Sequence, residues 1–391
     1  VRARARGAQD WKRPLAGGLV ATLAATVVAA AMWPFMAGTN SGERTITVAA
    51  IQGSVPKLGL DFNDQRKKVL DNHVARTLEL AAQVRADAAP QPDLVIWPEN
   101  ASDIDPLRNA DAAADISRAS EAVGAPVLVG AVLVNSDRTT TNSVIVWDGE
   151  SGPQERHDKR IIQPFGEYLP YRDFFRHFSS YADRAGNFVP GHGDGVVHTN
   201  GIAVGVATCY EVAFDRAFSA SIRAGAEILA VPTNNATFGD TEMTYQQLAM
   251  SKVRAVEHSR TVVVAATSGV SAIIAPDGST VAQTPLFVPA ALVAEVPLRT
   301  GTTPADRLGP IPEFVLGLGA VVAVACALVL GRRQARRTSP GSTESPGSNE
   351  SAGSTEKAPA EAGREDCHGT GAGFRQPGGG TRTDSGDHSD V

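Results

Sequence analysis

GIAVGVATCYEVAFDRAFSASIRAGAEILAVP, residues 201–232, carries the reading of the fold. Residues 201–208 form an apolar run with the length of a buried strand, and it stops abruptly at Thr208, Cys209, Tyr210 and Glu211. A helical pattern follows over 212–226, and 227–232 is a second strand-like run. Strand, turn, helix and strand in that order make an α/β unit with a thiol at the apex of its sharp turn. Such a turn exposes a nucleophile, and the N–H groups opening the next helix favour its thiolate and can bind an oxyanion. The competing reading of Cys209 is a small core residue, because free cysteine is among the most buried residue types.

Outward from that unit the same alternation runs over residues 45–296. Strand-like runs fall at 46–52, 93–98, 126–134, 142–148, 261–267, 270–275 and 291–296, and helical patterns at 64–87, 109–123 and 241–259. Nearly continuous Val/Ile/Leu/Ala strands are strands covered on both faces, so a layered α/β fold is expected. PDG at 276–278 and DGESG at 148–152 read as turns.

Two uncharged runs flank this region. Residues 15–37 are long enough to cross a bilayer core about 30 Å thick, and Arg2, Arg4, Arg6, Lys12 and Arg13 precede them. The basic flank sets residues 1–14 in the cytoplasm and the chain beyond residue 40 outside. Residues 314–330 form a second, shorter run ending in GRRQARR, which again marks the cytoplasmic side. The expected organisation is therefore a transmembrane helix at 15–37, an extracytoplasmic domain at 45–299, a linker at 300–313, a transmembrane helix at 314–330 and a cytoplasmic tail at 331–391. The tail is rich in Gly, Ser, Thr and Glu, too polar to fold, and reads as disordered. The chain opens on Val within basic sequence, and an N-terminal truncation is expected.

Of the three cysteines, Cys326 lies in the second span and Cys367 in the tail, which leaves Cys209 without a disulfide partner in its own compartment. An unpaired thiol kept in an oxidising compartment points to reactivity. A formal net charge of −6 and the lack of a basic stripe exclude a nucleic-acid partner. The scattered histidines lack metal-ligand spacing, and no metal or cofactor is expected. GHGDG at 191–195 lacks the strand and helix context of a phosphate loop.

A thiol nucleophile needs a proton acceptor and an oxyanion donor. DLVIWPEN places Glu99 just past the carboxyl end of a buried strand, where α/β folds gather their active sites. ERHDKRIIQPFGEYLP holds Lys159, whose charged neighbours also fit an exposed turn, and Glu167, enclosed by Phe165, Tyr168 and Leu169. A carboxylate in such a setting is hydrogen-bonded or raised in pKa.

WPEN with Glu99, HDKRIIQPFGEYLP with Lys159, and TCYE with Cys209 resemble the Glu-Lys-Cys triad of the nitrilase superfamily. FGEYLP, CYE and the block from PTNNATFGD to APDG resemble its membrane branch, the apolipoprotein N-acyltransferases, over residues 15–330. The resemblance implies a nitrilase-like α-β-β-α sandwich flanked by transmembrane helices in a bacterial inner membrane. It implies Glu99 as general base, Cys209 as the nucleophile that takes an acyl chain from a phospholipid, and Lys159 as oxyanion donor. A diacylglyceryl-modified apolipoprotein would be the acceptor, with Glu167 and Glu211 supporting the triad and Tyr210 shaping the pocket. In that branch the block 234–239 often has Asp second and Trp fourth, where this chain has Asn235 and Thr237, and several more membrane helices precede the domain. Two other readings stand beside it: a membrane-anchored nitrilase-type amidase that uses water as second nucleophile, and a catalytically silent lipid-binding domain. Eight aromatics between Phe165 and Phe188, interleaved with Arg172, Arg176 and Arg184, suit a lid at the membrane interface as well as a helix packed on the core.

Overall fold

The computed structural model describes residues 12–36, 44–55, 62–175, 177 and 186–338. Two six-stranded sheets, ordered β12-β1-β2-β3-β4-β5 and β11-β10-β9-β8-β7-β6, form the body. The first sheet comprises β1 (Thr45–Gln52), β2 (Leu94–Ile96), β3 (Val127–Val134), β4 (Thr140–Asp148), β5 (Gly152–Asp158) and β12 (Ala290–Pro297). The second comprises β6 (Val196–Thr199), β7 (Ile202–Val206), β8 (Ile228–Thr233), β9 (Val262–Ala266), β10 (Ala272–Ile274) and β11 (Thr280–Gln283). In both, three parallel strands (β1-β2-β3 and β7-β8-β9) are flanked by antiparallel ones.

The helices of the body are α2 (Phe62–Arg85), α3 (Ala110–Val123), α4 (Asp215–Arg223) and α5 (Met243–His258), preceded by α1 (Lys12–Met36). Three apolar layers result from the period-two alternation of the strands. On β1, Ala49 and Ile51 pack with Leu70 of α2 and Ile116 of α3, whereas Val48 and Ala50 meet Val204, Ile228 and Val263 of the other sheet. On the far side Leu229 and Val264 pack with Phe218 and Ile222 of α4 and Leu248 of α5. This is the expected α-β-β-α sandwich, and it explains why the strands read as unbroken apolar runs. Buried Gln52 ties the sheets together, its Oε1 accepting from Ser271 Oγ at 2.7 Å and from Thr284 Oγ1 at 3.0 Å.

The structure differs from the sequence reading in three places. The helix expected over 212–226 is a 3₁₀ turn, Cys209–Ala213, followed by the shorter α4. The break falls at Phe214, whose backbone is extended at φ −107° and ψ 124°, while Glu211 and Thr208 form a capping box that closes the start of the turn. Strands β5, β6 and β11 do not stand out in the sequence, because β5 is a charged edge strand (PQERHD) and β6 (VVHT) and β11 (TVAQ) are short edge strands with polar residues. The linker 300–313 is ordered, with α6 (Pro304–Leu308) capped by Thr303 and Asp306 bonded to His258 Nδ1 at 2.6 Å.

The last helix, α7 (Ile311–Thr338), contains Ile311–Arg333, which among the described residues is long and apolar enough to cross a membrane. In α1 the apolar stretch Gly17–Val27 is shorter. Two compact units divide between residues 322 and 323. Most of the basic segment 1–14, the tail from residue 339 with Cys367, and Phe178 and Tyr181 of the aromatic stretch lie outside the described residues.

Candidate active site

Each of the three chemically marked residues follows the carboxyl end of a strand, Glu99 after β2, Lys159 after β5 and Cys209 after β7. Glu99 and Lys159 thus come from one sheet and Cys209 from the other. The loop bearing Glu99 runs against β3 at Gly130, where Ser102 N donates to Gly130 O at 3.0 Å. A Cβ on residue 130 would stand 2.1 Å from Pro98 O and 2.7 Å from Glu99 Cα, so only glycine admits this approach. Asn100 and Cys209 both hold left-handed backbone, at φ 59° and 51°. Strain of this kind is held only where the surroundings impose it, and it gathers at functional sites.

The charged groups form one buried cluster. Lys159 Nζ donates to Glu99 Oε1 at 3.0 Å and to Glu167 Oε1 at 2.9 Å. Asn142 Nδ2 bridges the same two oxygens at 2.7 and 3.0 Å. Glu99 Oε2 accepts from Asn234 N at 2.9 Å, and Glu167 Oε2 from Gln163 N at 2.7 Å. Lys159 is therefore not the exposed turn residue its neighbours allow; it is 2% exposed. The GHGDG segment packs against it: Gly191 N donates to Lys159 O at 2.8 Å, and a Cβ at 191 would fall 2.3 Å from Asp158 O.

Burial works against the Lys159 ammonium, but the facing charges of Glu99, a Cys209 thiolate and Glu167 outweigh it and hold its pKa above the ordinary lysine value. Burial pushes the Cys209 thiol up to about 12, the Glu99 carboxylate adds to that, and Lys159 pulls the other way. At neutral pH the site thus holds a neutral thiol and an ammonium that remains charged, with the Glu99 side chain beside both.

Glu211 and Tyr210 do not join the charged cluster. Glu211 is fully buried, and its carboxylate accepts from Arg160 N, Ile161 N and Thr208 N at 3.0, 2.9 and 2.8 Å, so it stitches the Lys159 segment to the Cys209 turn. Burial raises its pKa against those donors. Tyr210 packs edge-on against Phe214, with centroids 5.0 Å apart. Helix α5 holds the turn from behind: Arg254 donates to Val212 O at 2.9 Å and Ala213 O at 3.2 Å, and Gln247 Nε2 to Cys209 Sγ at 3.6 Å. Asn142, Gln247 and Gly130 carry no mark in the sequence, where each is one amide or glycine inside a strand or helix pattern, and Asn234 enters there only as the first residue of the block 234–239. A buried asparagine facing into an apolar strand is the one signal that could have marked Asn142.

A cavity of about 260 Å³ opens beside the Glu99 loop, lined by Val69, Asn100, Asp103, Asn234 and Thr267 among others. Of the aromatic stretch, Phe165, Tyr171 and Phe174 are exposed. The side chain of Thr237 lies outside the described residues.

The sequence is 55% identical to an apolipoprotein N-acyltransferase of Mycolicibacterium smegmatis over 327 residues, covering 81% of this chain and 55% of that protein. It is 33% identical to one of Ralstonia nicotianae, covering 81% and 59%, and 29% identical to one of Geobacter metallireducens, covering 73% and 54%. The chain thus spans somewhat over half the length of these relatives. Residues 47–304, the whole sandwich with its two sheets and the cluster at their strand ends, match the carbon-nitrogen hydrolase family, and the chain belongs to that family.

Proposed function

We propose that this chain is the catalytic part of an apolipoprotein N-acyltransferase. It takes an acyl chain from a phospholipid onto Cys209 and passes it to the N-terminal α-amine of a diacylglyceryl-modified apolipoprotein. The name borne by the relatives supports the reaction class, and the observation that carries the residue roles is Lys159 Nζ held 3.0 Å from Glu99 Oε1 in the buried cluster that acts on Cys209.

In the first half-reaction Glu99 takes the thiol proton as Sγ attacks the ester carbonyl. Lys159, with backbone N–H groups near Tyr210, stabilises the oxyanion. Collapse expels the lysophospholipid alkoxide, which Glu99 reprotonates, and leaves a thioester. In the second, Glu99 takes a proton from the acceptor's amine, which attacks the thioester; the amide forms and the thiolate departs, to be reprotonated. Glu167 shares the Lys159 ammonium and keeps it oriented. The 45–299 domain lies outside the cytoplasm of a bacterial cell, held to its inner membrane by residues 15–37 and 314–330.

The test is intact mass after the protein is mixed with phospholipid in detergent. A one-acyl adduct that persists in water and disappears on adding a diacylated lipopeptide supports the transferase. An adduct that decays without acceptor selects the hydrolase reading, and no adduct at all sinks the covalent mechanism.

A further inference from the structure

Behind Cys209 lies a buried polar wall that the mechanism above leaves unused. Gln247 of α5 reaches Cys209 Sγ with Nε2, and its Oε1 lies 3.0 Å from Thr233 Oγ1 at the end of β8. The same hydroxyl lies 2.8 Å from Asn235 Oδ1. All three side chains are buried. Gly269 closes over the far end, where a Cβ would come 2.5 Å from Asn235 Nδ2.

A hydroxyl has one proton to give. Thr233 faces two carboxamide oxygens, and a buried acceptor left facing another acceptor is costly. Half-turns exchange the oxygen and nitrogen of a carboxamide, so one of the two amides can turn to relieve the conflict. If Asn235 turns, its Nδ2 donates to Thr233 Oγ1, the Thr233 proton is released toward Gln247 Oε1 or the sulfur, and Gln247 Nε2 stays aimed at the sulfur. If Gln247 turns instead, Thr233 donates to Asn235 and a carbonyl oxygen faces Sγ, where it accepts the S–H proton and repels a thiolate.

We propose that a buried hydrogen-bond chain, Thr233 to Gln247 to Cys209, delivers a donor to the nucleophile's sulfur, and that the side chain at 235 decides only whether the Thr233 proton is left available to it or drawn away. The proposal rests on the reading of Cys209 as nucleophile. Charge builds on that sulfur twice per cycle, when it attacks and when it leaves, and a donor to an ionised acceptor strengthens as the charge builds. Gln247 touches the reacting atom; Thr233 and Asn235 act through it. An aspartate at 235 is acceptor-only, binds the Thr233 proton away from the sulfur and reverses the chain. Thr233 is among the groups that pull the thiol pKa down, in keeping with a proton aimed at the sulfur side.

The experiment is the pH dependence of Cys209 alkylation by iodoacetamide, read by peptide mass on the detergent-solubilised protein, with thermal melts as folding control. Gln247→Met keeps the length and removes the donor, and should slow alkylation at neutral pH about tenfold by shifting the thiol's profile about one unit alkaline. Asn235→Asp should slow it similarly. Asn235→Ala leaves the Thr233 proton on the sulfur side and should stay within about threefold of the parent. In the Asn235→Asp background, Gln247→Met should no longer slow the reaction, because the group it removes there is an acceptor. Additive slowing in the double variant, or a Gln247→Met rate equal to the parent's, overturns the proposal; if Asn235→Asp does not fold, equal slowing by Asn235→Ala and Gln247→Met does so. Alkylation needs no lipid, so a protein that keeps this pattern yet forms no acyl adduct refutes the acyl-transfer reading and leaves the chain standing.

Discussion

Lys159 Nζ donates to Glu99 Oε1 at 3.0 Å with both side chains almost entirely out of water. A buried pair of this kind is costly to break, because the partner left behind keeps its charge without compensation. Lys159→Met leaves the Glu99 and Glu167 carboxylates with neutral donors only, Asn142 Nδ2, Asn234 N and Gln163 N, and no countercharge, and should cost about 3–5 kcal/mol in urea denaturation. Lys159→Arg keeps the charge but replaces a point donor with a planar fork, and should cost about 100- to 1000-fold in acyl-enzyme formation. A Lys159→Arg rate within a few-fold of the parent would show that the ammonium is only structural.

Cys209 is a small side chain at a turn whose backbone is held by Arg254 and Glu211 rather than by the thiol itself. Cys209→Ala is therefore expected to retain the parent's melting behaviour and lose the acyl adduct completely, while Cys326→Ala and Cys367→Ala retain it. An adduct on the Cys209→Ala protein, seen by intact mass, would move the nucleophile elsewhere.

Acid sensitivity follows from two buried histidines. Burial depresses His73 from 6.5 to about 4, offset in part by Val69 O, and burial with the nearby Arg160 charge depresses His157 to about 4. Between those pH values the unfolded chain binds more protons than the folded one. Their contribution is whole above pH 6.5 and falls away as the pH drops toward 4, by about 3 kcal/mol for each group. Glu211 and Asp103, both raised by burial, act in the opposite direction, so the single-site comparison is the informative one. His73→Leu should flatten the fall in denaturation free energy across this window; an unchanged slope refutes the assignment.

Gly130→Ala adds one methyl group where Pro98 O stands 2.1 Å away. The Glu99 loop must move off β3, and overpacking of this kind costs about 1–3 kcal/mol. Acylation by phospholipid should fall more than the melting temperature suggests, because a misplacement of about 1 Å can cost about 100-fold in rate. Equal, small losses in both would mean that the loop absorbs the methyl without moving Glu99.

Phe165 and Phe174 are 68% and 60% exposed beside the segment that carries Glu167. If they enter a lipid surface, replacing both with Ser should weaken the apparent affinity for phospholipid micelles by about tenfold or more. Iodoacetamide should alkylate Cys209 at the parent rate in that variant. Slower alkylation would mean instead that these rings pack over the site.

Local pattern alone is enough to mark nine of the twelve strands described in the sandwich and the position of Glu99 and Cys209 at segment ends, whereas Lys159 stands out only through the family resemblance. Strands buried on both faces must be apolar throughout, and turns that carry chemistry interrupt them with polar residues. The charged edge strand β5 escaped notice because pairing with β4, and not its own composition, makes it a strand. Only the tertiary structure decided what surrounds the thiol. Glu99 and Lys159 end strands of one sheet and Cys209 ends a strand of the other, so the electrostatics of the site exist only once the two sheets face each other. The partners Asn142, Asn234 and Gln247 lie between 25 and 135 residues from Glu99, Glu167 and Cys209, the site groups they touch. No local periodicity encodes such contacts, because an amide's role depends on which acceptor the fold sets opposite it.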